Sequence, residues 1–297
     1  MDIEGLQKRI KTTQDLRSIV STMKSLSAVS IIQYDAALKS LVEYGRTINL
    51  GAVALMKNGD LKLPKETPVK PEAKRALAVV IGSDTGLVGK MNREVVRFAE
   101  KFLTEKGFKI EQTAFIAIGR QIIAQLMRDE RNLVESYPVS NSVKAVSKTA
   151  ASVLITAQEH IQTERTTHVY IFYSQKQGTG VVPTSSLLMP LGTEWLERLK
   201  NIGWPGHNFP TYTLPPEQIF SALMRERLLI ELSTAITDAL SAEHHMRLTT
   251  MQAAEKNIDE NLEAMNLEYQ QMRQENITTE LLDVVSGAEA LRMQKKK

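Results

Sequence analysis

The stretch QIFSALMRERLLIELSTAITDALSAEHHMRLTTMQAAEKNIDENLEAMNLEYQQMRQENITTELLDVVSGAEAL, Gln218–Leu291, contains no proline, and Gly287 is its only glycine. Proline removes a backbone donor and breaks helices, and glycine weakens them. The spacing predicts one unbroken helix, roughly 110 Å long at 1.5 Å per residue. A globular helix usually runs about 8–20 residues, so most of this one needs support outside an ordinary core. Such an element serves as a shaft, a spacer or one strand of a coiled coil.

Its apolar stripe runs through Leu223, Leu228, Leu232, Ile236 and Leu240, then Met251, Ile258, Leu262, Met265, Met272, Leu281, Val284, Ala288 and Leu291. The stripe is lean and interrupted by polar residues. That pattern fits two long helices wound together, with further surface left for another partner. The chain's other end offers the second helix. From Met1 to about Gly59, apolar residues fall at Leu6, Ile10, Leu16, Ile19, Met23, Leu26, Val29, Ile32, Leu41, Tyr44 and Ile48. Most steps are three or four residues, a helical period. Gly45 and Gly51 weaken the far end, and Asn58-Gly59 should stop it. Two chain ends flanking an inserted domain pair most economically antiparallel. The C-terminal helix exceeds the first by about 20 residues, or roughly 30 Å. That extra length must either pack on the middle domain or project alone, and at a projecting end Val284, Val285 and Ala288 would be poorly buried unless another partner surrounds them.

Between the helices lie a linker, 60–74, with Pro64, Pro68 and Pro71 among charged residues, and a domain, 75–215. The C-terminal helical part is 216–297. In the domain, the apolar runs Ala76–Ile81, Thr113–Ile118, His168–Tyr173 and Val181–Met189 read as strands. Asn92–Leu103, Gln121–Arg128 and Val143–Thr163 read as helices. The expected fold is an antiparallel coiled coil of terminal helices plus an inserted Rossmann-like α/β domain with a largely parallel sheet.

Composition narrows the function. Cysteine is absent, which excludes disulfides and thiol chemistry. Aromatics are only 5%, against stacking platforms for nucleic acid. The net charge of +3 equals the contribution of the final Lys295, Lys296 and Lys297, and elsewhere the two signs intermingle without a basic stripe. No stretch of 18 apolar residues suits a membrane span.

Candidate chemistry is sparse. Gly82–Lys90 follows a strand and precedes a helix, as a phosphate loop would. It meets neither GxGxxG nor the full Walker spacing, because the first glycine is misplaced and Met91 replaces Ser or Thr. A tight turn packing helix on sheet is the preferred reading, and nucleotide binding the lesser one. His160, His168, His244 and His245 form no metal motif, and no GxSxG nucleophile motif occurs. No cofactor and no metal is expected. Glu226, Glu231, Glu243 and their basic neighbours read as a solvated helix surface. Arg273-Gln274-Glu275-Asn276 interrupts the apolar stripe with groups suited to carboxylates and backbone carbonyls of another protein.

From Arg273 to Ala288 the chain resembles the C-terminal signature RQxxITxELxEIVxGA of the gamma subunits of F-type ATP synthases. Glu243, Arg247, Met251, Ala254 and Asn257 fit the family's upstream pattern. Arg9-Ile10-Lys11, Thr13, Ile19 and Met23 fit its opening helix. Ser83, Asp84, Gly86 and Asn92 fit its central loop, SDxGLxGxxN. Ser30, Val88, Lys90-Met91 and Thr249-Thr250 depart from the usual residues, which resembles a divergent branch.

The resemblance implies a non-catalytic subunit: the central rotating shaft that couples ion flow to ATP synthesis or hydrolysis. It implies a ring of three alpha and three beta subunits around the shaft. Epsilon and the membrane c-ring would sit at the α/β foot, and delta elsewhere in the same complex. It places the chain peripherally on the cytoplasmic face of a bacterial inner membrane or an equivalent face. By family position, Met23, Arg273, Gln274, Thr278, Glu280 and Asp283 are expected to contact the alpha/beta ring, and Ser83, Asp84, Gly86 and Asn92 to form a structural loop. The alternative is a non-rotary coiled-coil scaffold or tether carrying an α/β domain.

Overall fold

The computed structural model describes residues 2–57, 74–140, 142–190, 193–206, 208 and 210–294. The stop at Asn58-Gly59, nearly all of the proline-rich linker and the Lys295–Lys297 tail lie outside the described residues. Element order is α1 (Ile3–Lys57), β1 (Ala76–Ile81), α2 (Met91–Glu105), β2 (Ala114–Ile118), α3 (Arg120–Arg128), β3 (Asn132–Tyr137), α4 (Val143–Glu164), β4 (His168–Gln177), β5 (Gly180–Met189), α5 (Thr193–Lys200) and α6 (Pro216–Gln294). A single 3-10 turn, Ile110–Gln112, precedes β2.

The chain forms two compact units, one of residues 27–247 and one of residues 1–26 with 248–297. In the larger, five strands take the order β3-β2-β1-β4-β5. The pairs β1–β2, β1–β4 and β2–β3 are parallel, while β5 returns antiparallel along β4. Strand side chains alternate between faces, and β1 shows it. Ala76, Ala78 and Val80 pack with Val95, Val96, Ala99 and Leu103 of α2 and with Ile122 and Leu126 of α3. Leu77, Val79 and Ile81 pack with Val146, Ala150 and Val153 of α4 and with Leu232, Ile236 and Leu240 of α6. Helices thus cover both faces, which is why the central strands read as continuous apolar runs.

In this unit α1 and α6 run antiparallel. Ser241 donates to Asp35 Oδ1 at 2.7 Å, and Tyr44 to Glu226 Oε2 at 3.2 Å. Gly45 and Gly51 do not end α1. A Cβ on Gly51 would lie 3.2 Å from Leu223 Cδ2, and one on Gly45 would lie 3.6 Å from Ile230. These glycines let α6 approach closely, and that packing offsets their low helix propensity.

Two elements escaped the sequence reading. Asn132–Tyr137 is a mostly exposed edge strand, so its pattern lacks an apolar run. Short α5 buries only part of one face. Its Trp195 donates to Asn49 Oδ1 at 3.1 Å and lies 4.5 Å beneath the Arg227 guanidinium.

In the smaller unit the α1 and α6 segments again pair antiparallel. Arg17 Nε donates to Asp259 Oδ1 at 2.5 Å, and Lys24 pairs with Glu255. Leu6, Ile10 and Met251 are buried. The α1 stripe does not lie on one covered face. Leu16, Ile19 and Leu26 here, and Val29 and Ile32 in the larger unit, are 50–71% exposed. Spacing by three and four identifies a helix, but it does not say which side a neighbour covers. Among the described residues, no helix is long and apolar enough to cross a membrane.

Candidate functional site

The first candidate surface belongs to the smaller unit. The fourteen positions between Ile3 and Arg17 carry α6 equally far from Asp259, to Arg273. From Arg273 onward α6 therefore extends beyond the start of α1. Arg273, Gln274, Thr278, Glu280 and Asp283 are all exposed there. The Thr278 hydroxyl donates to the Gln274 carbonyl at 2.8 Å, and Thr279 to Glu275 at 2.9 Å. These bonds occupy two hydroxyls on the helix's own backbone and leave the Arg273 and Gln274 side chains facing outward. Ile277, Leu281, Leu282, Val284 and Val285 are 47–70% exposed on the same stretch, and Ala288 is exposed too. This much apolar surface suits a protein neighbour. Met23, on α1, is half-buried and does not join that cluster.

The second candidate is the loop after β1, in the larger unit. Ser83 N donates to Asn92 Oδ1 at 3.0 Å, and Asn92 Nδ2 donates to Ser83 Oγ at 2.8 Å. Ser83 Oγ then donates to the Thr85 carbonyl at 2.7 Å. Asp84 accepts from the Arg120 amide at 2.9 Å and the Val139 amide at 3.3 Å, joining the ends of β1, β2 and β3. A Cβ on Gly82 would lie 2.4 Å from Asn92 Oδ1 and 2.5 Å from Ile122 Cγ1, so only glycine fits. Gly86 differs, because nothing lies within 4 Å of its Cβ position. Ser83, Asp84 and Asn92 are thus brought together, and Gly86 stands apart. The side chains that could have met an anion bond instead to the loop and its neighbours.

The α6 residues facing this loop correct the solvated-surface reading. Glu243 and Arg247 are 5% and 7% exposed, one turn apart, and bonded through Nη2 at 2.5 Å. Burial raises the Glu243 pKa above the usual carboxylate range, and the Arg247 charge opposes that rise. The same Nη2 donates to Thr85 Oγ1 at 2.7 Å. Charge alone suggested solvent. The legible signal was the four-residue Glu-to-Arg spacing, which puts the two side chains on one face of the helix. His244, beside them, stacks on Tyr34 with centroids 5.5 Å apart, and burial lowers its pKa to about 4.

No group of three or more His, Cys, Asp or Glu able to hold a metal occurs among the described residues. The α6 stretch presents exposed charged, amide and apolar side chains, whereas the polar side chains of the loop after β1 are bonded within the domain.

A family model described as ATP synthase matches residues 2–291. The ATP synthase gamma chain of Geobacter metallireducens is 25% identical over 298 residues, covering 98% of this chain and 99% of that one. That of Bdellovibrio bacteriovorus is 25% identical, with the same coverage. Among solved structures, a chain of the Euglena gracilis mitochondrial ATP synthase (OSCP/F1/c-ring, rotational state 3) aligns with a TM-score of 0.64 at 16% identity, covering 99% of this chain and 96% of that one. A chain of the Tetrahymena thermophila central stalk and c-ring aligns at 0.54 and 20% identity, covering 80% and 99%. At these identities the structural likeness speaks for the fold.

Proposed function

The chain belongs to the ATP synthase family, among its gamma chains, and from that premise we propose how its surfaces carry out the work of the shaft. A gamma chain is the non-catalytic central rotor of an F-type ATP synthase. It makes no bond in ATP and transmits torque.

The observation that carries the reading is the run of α6 from Arg273 past the start of α1, continuous in backbone and exposed in side chain. A shaft needs uninterrupted backbone hydrogen bonding, which resists twisting and bending. It also needs ties that stop its helices sliding past one another, a role suited to Arg17–Asp259 and Lys24–Glu255.

In our reading three alpha and three beta subunits surround the terminal helices. Arg273 and Gln274 bond to a beta-subunit loop, with Thr278, Glu280 and Asp283 in the same zone. Met23 lies where the shaft crosses the ring. The α/β part, 75–215, forms the foot that meets epsilon and the c-ring, and the delta subunit belongs to the same complex. The helical parts 1–59 and 216–297 form the axle. The assembly lies on the cytoplasmic face of a bacterial inner membrane or its equivalent.

The test is Arg273→Ala with Gln274→Ala in the assembled complex. Expected is weakened torque and coupling with the complex still assembled at three alpha and three beta per copy. Torque equal to the unmodified complex would contradict the residue assignment, and a different stoichiometry would favour a tether.

A further inference from the structure

We propose that the cleft between α1, α6 and the β4–β5 pair binds a small uncharged molecule with an apolar body and carbonyl-type oxygens. The cleft lies wholly within the larger unit and has a volume of 590 Å³. Ligand cavities run about 300–1,000 Å³ and combine apolar walls with a few polar groups that fix orientation. Leu41 and Leu50 of α1, Ile230 of α6 and Ile202, just after α5, supply the apolar walls.

The polar groups left free in the wall are donors, and they come from three elements. Tyr173 of β4 makes no hydrogen bond through its hydroxyl among the described residues. Burial, with Asp238 and Glu231 nearby, pushes its pKa up to about 12, so the phenol keeps its proton to donate. Asn49 of α1 accepts from the Trp195 indole through Oδ1 at 3.1 Å. That bond sets the orientation of the amide and leaves the two Nδ2 hydrogens to donate. Thr234 of α6 adds a hydroxyl. All three residues are half-buried, and none of these polar atoms is sealed from solvent, unlike Arg227 Nη1 close by.

Charge in the wall is already matched. Glu231 accepts from Ser186 Oγ through Oε1 at 2.7 Å and pairs with Arg227 through Oε2 at 3.1 Å. An anion would sit against that carboxylate, and a cation would find both of its oxygens engaged. The Arg46 side chain at the mouth is 69% exposed and 3.8 Å from Glu43, so it stays in water. An uncharged ligand that accepts from Tyr173, Asn49 and Thr234 satisfies the wall without opening an ion pair. Held by all three, it bridges both long helices to the sheet. The site does not depend on the shaft reading.

Coumarin is the probe, being uncharged, soluble and apolar, with lactone oxygens as acceptors. Titration calorimetry on the full-length chain should show saturable binding. Tyr173→Phe and Thr234→Val each remove one hydroxyl with little change of shape, and each should weaken binding about threefold or more, as for one neutral hydrogen bond. Tyr269→Phe, in the smaller unit, should leave affinity unchanged. A carboxylate derivative of coumarin should bind more weakly than coumarin itself. Absence of saturable binding overturns the site. So does unchanged affinity in both hydroxyl variants when they melt like the parent, and so does a carboxylate derivative that binds as tightly as coumarin. If one variant melts lower, the other decides.

Discussion

Arg247 of α6 reaches Thr85, in the loop after β1, with a 2.7 Å hydrogen bond that spans 162 positions of sequence. The same guanidinium holds Glu243 one turn earlier on its own helix. Through this contact the long C-terminal helix is tied to the loop that joins β1 and α2. A torque carried by α6 then has a direct path into the α/β domain.

Removing one member of the pair should be costly. Glu243→Leu leaves the Arg247 charge buried without its carboxylate, which costs about 3–5 kcal/mol. Combining it with Arg247→Met removes both charges, and much of the loss should return. Chemical denaturation of the two variants checks the order. Equal destabilisation of the single and double variants would contradict it.

Gly82 and Gly86 should respond oppositely to alanine. At Gly82 the new methyl meets Asn92 and Ile122 within 2.6 Å, so Gly82→Ala should destabilise by about 1–3 kcal/mol. At Gly86 nothing stands within 4 Å, and Gly86→Ala should stay within about 0.5 kcal/mol. Melting curves separate the two.

The Arg17–Asp259 pair is half exposed on both sides, so its contribution is modest and screened by salt. Arg17→Gln should lower the melting temperature slightly at low salt. The difference should vanish near 1 M salt. A salt-independent difference would mean that the residue acts through packing.

Stability should carry a signature of Asp238. Burial raises its pKa to about 6, a nearby Asp35 adds to the rise, and the bond from Gln175 opposes it. The folded state takes up this proton near pH 6, and the unfolded chain only near the ordinary carboxylate value. Stability from this group therefore grows as pH falls from about 6 towards 4, and it is lost as pH rises through 6. His244 acts with the opposite sign. Its pKa, lowered to about 4, withholds a proton that the unfolded chain binds below the ordinary histidine value. Asp238→Asn should remove the first effect, leaving a variant whose stability falls more steeply on acidification than the parent's.

The long elements were legible because their physics is local. Missing prolines and three-four spacing marked α1 and α6, and short apolar runs marked β1, β2 and β4, the first two ending at Gly82 and Gly119. What was lost depended on neighbours distant in sequence. Whether Leu16 and Ile32 are covered depends on what packs beside α1. Glu243 and Arg247 are buried because Thr85 and the sheet lie against them. Gly45 and Gly51 read as weak points, yet they are where α6 comes close. At the candidate ring contacts, family pattern pointed to Arg273 and Gln274, and the structure adds their exposure beyond the start of α1.

Rotation of this chain within the assembled complex is the most direct test of the account. The sequence contains no cysteine, so Lys109→Cys on the exposed turn before β2 provides a unique point for a bead. With the alpha/beta ring fixed to a surface and ATP supplied, the bead should turn continuously in one direction. A bead that stays still while the complex hydrolyses ATP at its normal rate would contradict the shaft.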